Sequence, residues 1–89
     1  MHARRKLEQS RVFEKAFLRL PAHIQEIALS KLEILVHNPV HPSLRSKKMG
    51  GTDSIWEMSV TMNYRITFQD DGTTLYLRNI GTHDLLRRP

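Results

Sequence analysis

The residues with the most chemistry in them are His83, Glu57 and Arg65. A histidine works as general base or acid near neutral pH, its unperturbed pKa being about 6.5. An arginine can hold a phosphate bidentately, a geometry that lysine cannot reproduce. Metal-independent cleavage of an RNA phosphodiester asks for such groups. It needs a base for the ribose 2′-OH proton, a cation for the phosphorane charge and an acid for the leaving 5′-oxygen. Glu57 offers a second proton acceptor, or a group that only holds Arg65 or His83 in place. Each residue has an ordinary reading as well. His83 can be a surface histidine at a strand end, and Arg65 the cross-strand partner of Glu57. Arg45, Lys47, Lys48 and Arg78 suit phosphate contacts rather than chemistry, or a solubilising rim. Tyr76 can stack on a base or pack as a half-buried strand tyrosine.

Positioning these groups falls to three apolar-alternating segments. In 55–60, Trp56, Met58 and Val60 alternate with Ile55, Glu57 and Ser59. In 64–68, Tyr64, Ile66 and Phe68 alternate with Arg65 and Thr67. Asp70-Asp71-Gly72 is a turn signal leading into a last strand from Thr74. If the apolar sets face a core, Glu57 and Arg65 point the other way, into solvent or substrate. In the last strand Leu75 and Leu77 face the core, and Tyr76 and Arg78 the open side. Ile80 is out of phase with them, which predicts a bulge or bend near Asn79. After such a shift Gly81 and His83 join the open face.

The first half of the chain must cover the other face. A strand over about residues 3–8 is followed by Ser10, an N-cap residue type. Phe13, Ala16, Phe17 and Leu20 recur at helical spacing. Leu20-Pro21 breaks that helix, and Pro21 suits the start of the next. Ile24, Ile27, Ala28, Leu32, Leu35 and Val36 mark the apolar face of a second helix, which Asn38-Pro39 ends. Residues 38–43 read as a loop, Leu44 to Met49 as a basic strand, and Gly50-Gly51-Thr52 as a turn. The expectation is one α+β domain over residues 1–89, with an N-terminal strand and a helix hairpin packed on one face of a small twisted antiparallel sheet.

With 89 residues there is no room for a second core. Lys+Arg 14 against Asp+Glu 9 leaves a formal charge of +5, which favours a polyanionic partner without naming it. Six of the basic residues fall in positions 1–20, against Glu8 and Glu14. The absence of cysteine excludes disulfides and thiolate metal sites. His2, His23, His37 and His41 have no metal-ligand spacing, so no metal or cofactor is expected. Gly50-Gly51 is an isolated turn and not a nucleotide loop. No apolar run approaches the roughly 20 residues of a membrane span. The basic N-terminus lacks a following apolar segment, so it does not read as a signal peptide, and a cytoplasmic location is expected.

The order of phrases resembles the RelE/ParE superfamily of toxin–antitoxin systems, in particular its RelE-like branch. The phrases are Asn38-Pro39, His41-Pro42-Ser43-Leu44-Arg45, Lys48-Met49, Gly51, Ile55-Trp56-Glu57, Tyr64-Arg65-Ile66-Thr67-Phe68 and Ile80-Gly81-Thr82-His83-Asp84. The similarity spans roughly residues 5–84. It implies a ribosome-dependent endoribonuclease of the RelE, YoeB or YafQ type, cutting mRNA in the 30S A site. By the same resemblance His83 takes the place of the catalytic histidine of YoeB and YafQ types, and Arg65 that of the transition-state arginine. Lys47 and Lys48 match basic residues that contact RNA. A cognate antitoxin is the implied partner, with operator DNA reached only through that complex. The chain departs from the pattern after His83, where Asp84-Leu85-Leu86 stands instead of an aromatic residue. The alternatives within the superfamily are a ParE-like inhibitor of DNA gyrase without chemistry, and a degenerate member that only binds its antitoxin.

Overall fold

The structure, a computed structural model, describes residues 4–51 and 54–84. Ala3 of the expected opening strand and Thr52 of the expected turn lie outside this range. The chain begins with a short strand, β1 (Lys6–Gln9), and turns at Ser10 into helix α1 (Arg11–Leu18). Ser10 is the N-cap, its Oγ accepting the Phe13 amide at 3.0 Å and so satisfying one of the orphan donors of the first turn. The same hydroxyl donates to the Arg78 carbonyl at 2.6 Å, which ties the helix start to the far end of the chain. Phe13 is buried, and Phe17 stacks against it at 6.1 Å between ring centroids.

Helix α2 (Ala22–His37) begins after Pro21 and stops at Asn38, because the residue before Pro39 is pushed out of the helical region. Ile24, Ala28, Leu32, Leu35 and Val36 are buried on one side of it. Ile27, expected on that stripe, is 36% exposed. At 3.6 residues per turn it stands more than a quarter-turn from the middle of the buried arc.

The expected strand from Leu44 to Met49 is largely replaced. Pro42–Leu44 form a single 3-10 turn, and only Lys47–Lys48 are extended, as β2. Pro42 presets the first turn dihedral, Leu44 is drawn fully into the core, and Arg45 then reverses the chain with φ at 50°. The remaining strands, β3 (Trp56–Ser59), β4 (Tyr64–Asp70) and β5 (Thr74–Thr82), follow the alternation closely. Gly72 supplies the positive φ, 90°, that the β4–β5 turn requires.

The five strands lie in the order β1-β5-β4-β3-β2. β2 through β5 pair antiparallel, while β1 adds to β5 in parallel, so the sheet is mixed. The bulge expected near Asn79 is present. Thr67 pairs with Asn79 and Phe68 with Leu77, which leaves Arg78 as the extra residue. Leu77 and Ile80 can therefore both be buried, although they are three apart. The core joins Phe13 and the α2 stripe to Met58, Val60, Ile66, Phe68, Leu75, Leu77 and Ile80. No helix among the described residues is long and apolar enough to cross a membrane.

Candidate active site

The tight link between β3 and β4, residues 61–63, separates two recesses. His83 stands just past the end of β5, exposed, and lines an open cleft of ≈ 540 Å³ with Met62, Asn63, Tyr64, Thr82 and Asp84. Its position follows from the ladder: Tyr64 pairs with Thr82, the last rung, so the next residue emerges beside the β3–β4 link. Arg65 lies on the other side of that link, in a recess of ≈ 290 Å³. Lys31 from α2 and Arg45 from the end of the 3-10 turn line the same recess, with Ser43 and Ser59. Met62 lines both. Arg65 and His83 thus flank one turn without sharing a pocket.

Arg65 is partly committed to the fold. Its Nη1 donates to the carbonyls of Thr61 (2.6 Å), Met62 (2.8 Å) and Tyr64 (3.2 Å). Its Nε and Nη2 carry no hydrogen bond among the described residues, so that edge of the guanidinium can still meet an anion. Its neighbours in the sheet are Ser59 on β3 and Gly81 on β5, and Gly81 has no side chain to cover it.

Glu57 does not face open solvent as the alternation suggested; it is only 6% exposed. It lies in a rung that runs across four strands, Lys47–Glu57–Thr67–Asn79, and Thr67 beside it is fully buried. β3 lies inside the sheet and pairs with β2 on one side and β4 on the other at this rung, so Glu57 is flanked from both directions. The expected Glu57–Arg65 pair is also replaced. Lys47 Nζ approaches Glu57 Oε1 at 3.5 Å, and Arg65 sits diagonally one rung pair away with its Nη1 aimed at the turn.

Of the other basic residues, Arg45, Lys47 and Lys48 are exposed, and Arg78 donates to Gln69 Oε1 at 2.9 Å. Arg45 takes the left-handed conformation, uncommon for a side chain of its size and a form of local strain that clusters at functional sites. Tyr76 is half-exposed on the β5 face away from the core, as alternation requires.

No family model matches the sequence, and no curated protein is similar to it at sequence level. Solved structures are similar to it. The YoeB dimer from Staphylococcus aureus matches with a TM-score of 0.78 at 10% identity, over 91% of this chain and 99% of its own. A chain of the archaeal RelE–RelB complex from Pyrococcus horikoshii OT3 matches with a TM-score of 0.74 at 16% identity, over 90% and 96%. The E. coli DinJ–YafQ toxin–antitoxin complex matches at 0.71 and 18%, over 94% and 98%. The chain has the RelE-like fold.

Within this RelE-like fold two residues of the recesses escaped sequence reasoning. Lys31 sits among the polar positions of α2 and lines the Arg65 recess beside the path of the 42–45 segment, its Nζ reaching the Ser43 carbonyl at 3.3 Å. That path cannot be read from periodicity. Met62 did carry a signal: an apolar residue in the polar link Thr61-Met62-Asn63, between the two alternating segments. Among the described residues no cluster of three or more His, Asp or Glu side chains stands ready for a metal ion.

Proposed function

We propose that this chain is the toxin of a type II toxin–antitoxin pair, a metal-independent endoribonuclease that cuts mRNA in the ribosomal A site in the cytoplasm. The observation that carries the reading is the pair of recesses flanking residues 61–63 of a RelE-like fold, one holding His83 and the other Arg65 with Arg45 and Lys31. The ribose 2′-oxygen attacks the adjacent phosphorus while the bond to the 5′-oxygen breaks, giving a 2′,3′-cyclic phosphate and a 5′-OH end. His83 takes the 2′-OH proton or supplies one to the leaving oxygen. Arg65, through its unoccupied Nε and Nη2 edge, holds the phosphorane charge. Arg45, Lys47, Lys48 and Arg78 bind flanking phosphates. Glu57, buried beside Lys47, orients that lysine and does not contact the substrate. Among the similar structures are complexes of toxins with their antitoxins, which supports a protein antitoxin as partner; operator DNA is met only through that complex.

The test is primer extension on mRNA bound to translating ribosomes, with wild-type protein beside His83→Ala. Cuts at A-site codons that vanish in the variant are expected. Intact mRNA with both proteins would overturn the nuclease reading.

One observation favours a second reading, a toxin that binds without chemistry, as a ParE-like gyrase inhibitor or an antitoxin-binding relic does. Arg65 Nη1 is held by three carbonyls and its recess is separate from that of His83. Growth arrest that survives His83→Ala would favour the gyrase inhibitor, and no arrest with either protein the relic.

A further inference from the structure

Met62 is the most exposed of the large apolar side chains described here, at 88%, and it stands on the wall between the two recesses. Single exposed apolar residues are common and by themselves mean nothing. What sets this one apart is the backbone beneath it. The Met62 carbonyl is pinned by Arg65 Nη1 at 2.8 Å, and Thr61 Oγ1 accepts the amides of both Asn63 and Tyr64 at 3.2 Å. The Thr61 amide closes the link onto the Tyr64 carbonyl at 3.3 Å. A flexible thioether is thus held out into solvent by an ordered turn, with a cationic recess on one side and the His83 cleft on the other.

We infer that Met62 is a nucleobase-contacting residue, packing its thioether on the face of a base whose flanking phosphate sits in the Lys31–Arg45–Arg65 recess. The inference rests on the RNA-directed reading above and deepens it, because phosphate contacts alone cannot distinguish one nucleotide from another. A nucleobase has the aromatic face that sulfur favours, and methionine's unbranched chain adapts to faces of different size. The ordered turn lowers the entropy lost on docking, since only the side chain remains to be fixed. Lys31, Arg45 and Arg65 supply the positive charge that draws the backbone to that spot.

The experiment uses protein labelled at the methionine methyl groups with carbon-13, titrated with an RNA trinucleotide carrying 2′-deoxy sugars at its first two positions so that cleavage is blocked. The Met62 resonance is assigned from its loss in Met62→Leu. An upfield ring-current shift of the Met62 methyl is expected, while that of buried Met58 stays in place. An abasic trinucleotide should leave Met62 unmoved. Met62→Ala should bind the intact trinucleotide roughly two- to tenfold more weakly, the range set by a sulfur–aromatic contact, with its thermal midpoint unchanged. A Met62 methyl that does not move at millimolar trinucleotide overturns the inference, as does unchanged affinity in Met62→Ala. The titration needs no cleavage, so its outcome is separate from primer extension. Cuts by the wild type with no Met62 shift would sink the base contact alone. A shift without cuts would leave the base contact standing and sink the nuclease.

Discussion

Lys47 and Glu57 face each other across one rung of the β2–β3 ladder, Nζ to Oε1 at 3.5 Å, one 72% exposed along its side chain and the other nearly buried. The contact joins the shortest strand of the sheet to its neighbour. Because the lysine is mostly in water, solvent screens the pair. A double-mutant cycle with Lys47→Ala and Glu57→Gln, read by urea unfolding, should give a coupling of about 0.5 kcal/mol. A coupling of zero would mean that something other than Lys47 steadies the buried carboxylate.

Ser10 acts twice, capping α1 through the Phe13 amide and donating to the Arg78 carbonyl at the β5 bulge. Loss of a serine cap costs typically about 1 kcal/mol, and the second hydrogen bond adds a similar amount. Ser10→Ala should therefore lower the unfolding free energy by about 2 kcal/mol. A loss of only about 1 kcal/mol, that of the cap alone, would show that the bond to β5 contributes nothing.

Arg65 holds the β3–β4 link by three carbonyls from a single nitrogen. Lysine has charge but not the planar fork. Arg65→Lys is expected to fold and to be less stable by about 1 kcal/mol, with faster amide exchange confined to residues 61–64. Uniform exchange across the sheet, equal to wild type, would refute the role of Arg65 in the turn.

Asp71 sits in the β4–β5 turn with its carboxylate accepting the amides of Thr74 at 2.6 Å and Thr73 at 2.8 Å. Those bonds, Thr74 first, hold its pKa below the ordinary value of 3.8. A depressed carboxylate pKa stabilises the folded chain above the unfolded value and loses that contribution as pH falls through the folded one. Stability should thus decline on acidification below about pH 4, and Asp71→Asn should flatten that part of the curve. Parallel acid curves for the two proteins would exclude Asp71 as a source of the decline.

The sheet and helices were legible because each is written in a period. Trp56 to Val60 and Tyr64 to Phe68 alternate, Ser10 marks a helix start, and the phase slip between Leu77 and Ile80 announced the bulge that makes Arg78 the extra residue of β5. What the sequence did not disclose was everything set by the path of an aperiodic segment. Pro42 to Arg45 forms a turn that takes up the first residues of the expected strand, Leu44 and Arg45, and it places Arg45 in the recess that Lys31 and Arg65 also line. Alternation assigned Glu57 its face correctly, yet a face is not an exposure. Burial at the middle of a rung depends on the neighbours in the sheet, and these follow from register, which single strands do not encode.

β5 is the last of the strands in the chain, yet it lies inside the sheet, between β4 and the first strand, β1. On a ribosome, β1 therefore emerges with no strand to join and must wait for almost the entire chain. The β2–β3–β4 meander can form early from near neighbours, whereas the pairing of Lys6–Gln9 with residues 74–77 closes a loop of more than sixty residues. Nascent chains halted before Thr74 would carry the cationic recess without a completed sheet, and the cleft at His83 would be the final feature to appear. The timing of synthesis thus sets the order in which the two recesses come into being.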